Sequence, residues 1–340
     1  MSENLPIYFT SPCVAELCES ELREVADNEV LVKLAVSTVS SGTERANLIG
    51  DKNVRPSTKA ADVPFPRISG YSSAGVVMQV GKQVRSVAVG DRVALSWSTH
   101  SKYVVIHESN VNKILDDSIS FSEAALWTIG TFPMAAIRKC GLEMGESAIV
   151  MGLGVLGLVG IKLLRAAGAA PIVAVDPVPE KRAYALQIGA DYAFDPYDPD
   201  FAKKVREVTD GGVNVALEIT GIGAGLDGVL DCMAKFGRVA LLGCTRDKEF
   251  TIDYYKKVHG PGISLIGAHT NARPKVESSR GMWTTHDDVM ALQRLYRMGR
   301  LELSSLVEEM HSPEDAPEVY HRLATEKSFP LVQFDWGRLS

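Results

Sequence analysis

Residues 147–176 constrain the fold of this 340-residue chain more than any other stretch. An apolar run, Ser147-Ala148-Ile149-Val150-Met151, leads into Gly152-Leu153-Gly154-Val155-Leu156-Gly157. Val155, Leu158, Val159, Ile161, Leu163 and Leu164 then recur with helical spacing. A second apolar run, Pro171-Ile172-Val173-Ala174-Val175, closes on Asp176. The order is strand, glycine turn, helix, strand, acid, which is the fingerprint of a dinucleotide-binding fold. Gly152 permits the tight turn, Gly154 lets a pyrophosphate approach the backbone, and Gly157 lets the helix lie close on the sheet. The N–H groups of the helix start, at Val155 and Leu156, then face the phosphates.

Asp176 points to NAD over NADP. A carboxylate at the end of the second strand accepts hydrogen bonds from both ribose hydroxyls and repels a 2′-phosphate. Asp176 could also cap the helix that follows Pro177 and Pro179, and both roles can coexist. Lys181 or Arg182 could touch the adenine ribose, and a basic residue at 182 is one that could accommodate a 2′-phosphate. Thr220-Gly221 and Gly243-Cys244-Thr245 end later strands, where ligands of open α/β sheets bind.

The surrounding pattern is α/β. Apolar strands at 147–151, 171–175, 191–194, 213–218, 236–242 and 263–267 alternate with helices at 155–168, 179–188, 199–209 and 223–233. This implies a doubly wound parallel Rossmann sheet covered on both faces. Residues 1–121 read differently, as short strands at 29–36, 74–81 and 90–95 that suit a small β-barrel. Ser122 reads as the cap of a helix that opens the nucleotide-binding domain at 122–268. After 268 the alternation stops. Helices at 287–298 and within 313–325, and a strand at 331–334, are expected to return and complete the first domain through 269–340.

The length suits two domains. A net charge of −6 gives no support for nucleic-acid or acidic-membrane binding. Five cysteines, at 13, 18, 140, 232 and 244, form no CxxC pair and read as reduced thiols of a cytoplasmic protein. No signal peptide or membrane span is seen, since Lys162 and Arg165 break the most apolar window.

Ser41-Gly42-Thr43-Glu44, the run Pro66-Arg67-Ile68-Ser69-Gly70, Val89-Gly90-Asp91-Arg92-Val93 and the glycine fingerprint together resemble the medium-chain dehydrogenase/reductase superfamily. The resemblance covers nearly the whole chain. It implies a GroES-like β-barrel catalytic domain, an inserted Rossmann domain, and a homodimer or homotetramer. The departures from the zinc-type members are specific. Ser41 stands where they carry a cysteine, and Tyr71-Ser72 where they carry His-Glu. Ala94 to His100 runs on without the lobe of four cysteines. Serine and tyrosine do not replace thiolate and imidazole as zinc ligands. The expectation is therefore a zinc-independent enzyme with no metal site, similar to zinc-lacking, bacteriochlorophyllide dehydrogenase-like proteins.

Without a metal, side chains must handle the proton of an alcohol. Thr43 matches the family hydroxyl that contacts the reacting oxygen, or is a turn residue bonding its own backbone. Tyr71 is a general acid or base, or an aromatic wall filling the vacated volume. Glu44 orients Thr43 or Tyr71, or pairs with Arg45 or Arg67. Ala268 and His269 follow the last sheet strand, a stretch that the resemblance places near the nicotinamide, and His269 is a candidate proton carrier or a surface residue. Asn271, Arg273, Arg280, Trp283 and His286 form a loop that could read a substrate or make a subunit contact. Trp97, His100 and Trp127 line a wall or fill the core. His259, His311 and His321 read as surface, and Cys140 as a buried structural thiol.

Three functions follow. The first is an NAD-dependent dehydrogenase of a secondary alcohol or ketone. The second is an alkene or quinone reductase using NAD(P)H. The third is a non-catalytic NAD-binding sensor. The substrate is not legible.

Overall fold

The structure, a computed structural model, describes residues 3–51, 64–245, 247 and 249–339. The chain divides into one unit of Met1–Ile129 with Val289–Ser340 and a second unit of Gly130–Asp288.

In the second unit, six parallel strands lie in the order Tyr192–Phe194, Ile172–Val175, Ala148–Met151, Val213–Glu218, Met233–Leu241, Ser264–Gly267. Counted along the chain this is 3-2-1-4-5-6, the doubly wound arrangement. Ala148–Met151 and Ile172–Val175 are buried at every residue, as central parallel strands must be when helices cover both faces. Helices Val155–Ala166, Pro179–Ile188, Phe201–Val208 and Gly223–Cys232 are the crossovers. Strand periodicity and helix spacing in the sequence placed each of these elements, with ends shifted by a few residues.

In the first unit, Glu29–Thr38 is the central strand. It pairs antiparallel with Ser72–Val80, Tyr103–His107 and Val332–Asp335. Its Val30, Val32 and Leu34 alternate inward onto Ile7, Phe9, Tyr320 and Phe334 in one apolar core. The chain end returns some 300 positions later to set Gln333 opposite Thr38. The fold is thus a GroES-like β-domain with a Rossmann domain.

Three local expectations need correction. Ser122 does not cap the helix. Ser120 does, its Oγ accepting the Glu123 N–H at 3.1 Å, while Ser122 Oγ donates to Gln333 Oε1 at 2.6 Å. That helix is short, Phe121–Ala124, and the longer Trp127–Lys139 follows it. The units divide at 129/130 and not at 121/122, because Phe121–Ala124 is fastened within the barrel. Thr38 Oγ1 and Ser72 Oγ both donate to Ala125 O, and Glu123 accepts the N–H groups of Leu303 and Ser304. They divide again at 288/289 and not at 268/269. The segment from 269 is held in the second unit by Arg273, which donates to Thr131 O and pairs with Asp288 at 2.5 Å. Arg138 pairs with the same buried Asp288 at 2.9 Å and lies over the Trp283 ring.

Candidate functional site

The parallel sheet directs all its strand ends to one edge, and the predicted cofactor residues lie along it. Asp176, Gly152, Gly243 and Ala268 follow, or nearly follow, the last residue of neighbouring strands, and Thr220 stands two residues past Val213–Glu218. A Cβ on Gly157 would stand 2.0 Å from Gly152 O, so the helix can start this close to the strand only with glycine there. Gly154 is the N-cap of Val155–Ala166, has no side-chain cap, and has open space above its α-carbon. The N–H groups of the first helical turn are thus offered to a ligand. Val155 is buried and Leu156 half-buried.

Asp176 is buried, with its carboxylate held at both ends. Oδ2 accepts the Leu153 N–H and Oδ1 the Val178 N–H, both at 2.9 Å. It therefore ties the glycine turn to the second strand and starts the chain past Pro177, which is exposed. Arg182 Nη1 donates to Asp176 O at 2.7 Å and Pro177 O at 2.9 Å, and lies 3.3 Å from Asp195 Oδ2. This guanidinium braces the strand end. Thr220 donates from its N–H and its hydroxyl to Glu218 Oε1. Burial pushes the Glu218 carboxyl up, against the downward pull of those bonds. Cys244 is exposed, and a Cβ on Gly243 would meet Ile219 O at 2.4 Å. Ala268 is buried and its N–H donates to Leu241 O at 3.1 Å.

His269 is half-buried, and burial holds its pKa below the usual histidine value. Its Nδ1 accepts the Asn271 N–H at 3.2 Å, so the neutral ring carries its proton on Nε2. It therefore presents an N–H donor at Nε2. Arg273 is engaged by Asp288, Thr285 and Thr131 O.

In the first unit, Thr43 stands exposed in the first turn of Ser41–Leu48. Tyr71 is half-buried, its hydroxyl donating to Ser40 Oγ at 2.6 Å and its ring 5.8 Å from that of Trp97. Trp97 is 44% exposed with φ +63, an unusual backbone for a bulky residue. Glu44 belongs to a buried polar network. It is buried and pairs with neither arginine. It accepts the Ser40 N–H at 2.8 Å, His100 Nε2 at 3.1 Å and the Tyr320 hydroxyl at 2.5 Å. His100 Nδ1 lies 2.7 Å from Ser37 Oγ, which accepts the Trp336 indole N–H at 2.9 Å. Burial and the adjacent Glu44 raise the Tyr320 phenol well above its usual value. His100 and Trp127 are core residues, both at 0% exposure. The sequence reading missed Ser40, Ser37 and Tyr320. The one available signal was an oddly placed serine just before Ser41.

The fold and the glycine edge define a two-domain protein with a Rossmann half built for a dinucleotide. Comparison with known proteins agrees. Residues 26–137 match the alcohol dehydrogenase GroES-like domain and residues 155–283 the zinc-binding dehydrogenase family. The chain is 27% identical to an L-threonine 3-dehydrogenase of Pyrococcus horikoshii over 89% of its own length and 90% of the relative's. It is 24% identical to a D-guloside 3-dehydrogenase of Escherichia coli over 92% and 93%. The crystal structure of 2R,3R-butanediol dehydrogenase from Bacillus subtilis shares the fold, with a TM-score of 0.80 at 23% identity, covering 98% of this chain and 99% of that one. The chain belongs to the medium-chain dehydrogenase/reductase superfamily. It is an enzyme, an oxidoreductase of the alcohol dehydrogenase type.

These matches overturn the zinc-free expectation, because the family that residues 155–283 match is one of zinc-binding dehydrogenases. Among the described residues no three His, Cys, Asp or Glu side chains gather as a metal centre, and His100 and Glu44 are bonded to each other. This donor set does not fit a zinc ion, and no step is assigned to one. Among the described residues no helix is long and apolar enough to cross a membrane.

Proposed function

We propose that the chain is an NAD-dependent dehydrogenase that interconverts a secondary alcohol and its ketone. The observation that carries this is the start of Val155–Ala166, where Gly154 leaves uncapped N–H groups beneath open space, beside the carboxylate of Asp176. The residues fit a dinucleotide: the helix start takes the pyrophosphate, and Asp176 takes the ribose hydroxyls and disfavours a 2′-phosphate. NAD supplies the hydride acceptor when bound. Oxidation removes a hydride from the carbinol carbon and a proton from its oxygen. Tyr71, paired with Ser40, takes or returns that proton, and the exposed hydroxyl of Thr43 orients the oxygen. His269, neutral with Nε2–H outward from its Asn271 bond, acts as a hydrogen-bond donor. The relatives named for threonine, guloside and butanediol support a polyol, sugar-like or other secondary alcohol as substrate. The protein is proposed to work in the cytoplasm as a homodimer or homotetramer.

The test is a fluorescence titration with NADH and NADPH, followed by turnover with L-threonine, 2,3-butanediol and a methyl hexopyranoside. NADH should bind at least tenfold more tightly, and one or more alcohols should reduce NAD. Asp176→Ala also frees the Leu153 N–H, so affinity for both cofactors falls, with NADH losing at least tenfold more than NADPH. Equal losses would remove the basis for NAD. Binding without turnover of any alcohol or ketone would point to a sensor.

A further inference from the structure

Ser40 stands at the N-cap of Ser41–Leu48. At this position a serine hydroxyl ordinarily accepts an N–H from the first helical turn, worth about 1 kcal/mol. Here it makes no such bond. Its Oγ instead accepts the Tyr71 hydroxyl at 2.6 Å, although Ser40 is buried and the helix N–H groups lie alongside. Glu44, one position past the usual capping-box residue, reaches back to the Ser40 N–H at 2.8 Å. That carboxylate is itself fixed by His100 and by Tyr320, which comes from the returning chain end. The Tyr71 phenol is thereby held at two places, its hydroxyl by Ser40 and its ring against Trp97.

We propose that Ser40 is a positioning residue for the proton-handling phenol: its hydroxyl aims Tyr71, and Glu44 anchors Ser40 by its backbone. This rests on the reading of Tyr71 given above. A serine diverted from its cap forgoes helix stability, and the geometry spends that loss on one hydroxyl of one aromatic side chain. Misplacing a reacting group by about 1 Å can lower a rate by about 100-fold.

The test is a double-mutant cycle on the full chain, using the alcohol of the above panel that turns over fastest. Tyr71→Phe should lower kcat at least 100-fold, the range of a lost general acid or base. Ser40→Ala keeps the backbone N–H to Glu44 and so should fold. It should lower kcat about tenfold, with KM and the NADH Kd within about twofold. Ser40→Thr should recover kcat to within about threefold. In the Tyr71→Phe background, Ser40→Ala should have no further effect, since the hydroxyl it aims is gone. A wild-type kcat in Ser40→Ala, or equal losses in both backgrounds, would overturn the proposal. A wild-type kcat in Tyr71→Phe would instead sink the role of Tyr71 itself. Without turnover, the 13Cζ chemical shift of Tyr71 reads the same contact. It should move in Ser40→Ala and return in Ser40→Thr, and an unmoved shift overturns the proposal.

Discussion

The two units organise polar groups in opposite ways. Along the edge of the parallel sheet the side chains bond to backbone close by. Asp176 holds Leu153 and Val178, Arg182 holds two carbonyls, and Glu218 holds Thr220 and Gly221. In the barrel unit the polar groups bond to one another across the chain. Glu44 meets His100 and Tyr320, and Ser37 joins His100 to Trp336. The first arrangement shapes backbone, and under the function proposed above that backbone is the receptor for the coenzyme. The second fixes particular side chains against one another.

Substitutions can break this contrast. The largest effect belongs to Gly157→Ala, whose methyl would collide with Gly152 O. NADH binding should fall at least 100-fold and the melting temperature should drop, read by titration and by circular dichroism. Gly154→Ala meets no atom within 4 Å. It should keep its fold yet lose about tenfold in NADH affinity, since the methyl stands where the pyrophosphate approaches. If both variants behave alike, the glycine turn is a packing device and not a receptor. In the barrel, His100→Leu leaves the buried Glu44 carboxylate short of a donor. It should cost about 1–3 kcal/mol in urea denaturation, the scale of a buried acceptor left short of a donor, and leave the NADH Kd unchanged.

The smallest effect is at the surface. Arg322 hydrogen bonds hold the Glu309 carboxyl down to about 2 in the folded state, against 4.5 ordinarily. A depressed carboxylate stabilises the fold above its unfolded pKa and loses that contribution as pH falls through the folded one. Glu309→Gln should therefore cost under about 1 kcal/mol near neutrality, the scale of a partly exposed pair. The difference from wild type should close between pH 4.5 and 2 in urea melts.

This contrast also decides what the sequence could reveal. The Rossmann half was legible because its signals are local. A strand, a turn and a helix lie within a few tens of residues, and the two central apolar runs are buried on both faces. The fold class and the strand positions followed directly. The barrel half was legible only as short strands. Its decisive partners are far apart: Glu44 and Tyr320 are separated by 276 positions and Ser37 and Trp336 by 299. No periodicity links such residues, so the sequence offers Glu44 only Thr43, Tyr71, Arg45 or Arg67 as partners and gives no sign of Ser40. Arg273 shows the same limit. The sequence leaves it a loop cation facing a substrate or a subunit contact, and gives no sign that a buried aspartate fifteen positions on pairs with it.

Asp176 touches the turn through Leu153 and the next helix through Val178. The coenzyme preference proposed for Asp176 and the shape of the loop are therefore mechanically joined. An engineer who wants to switch this protein between nicotinamide coenzymes has to supply a replacement acceptor for that amide. Otherwise the redesigned pocket will relax before its new selectivity can show.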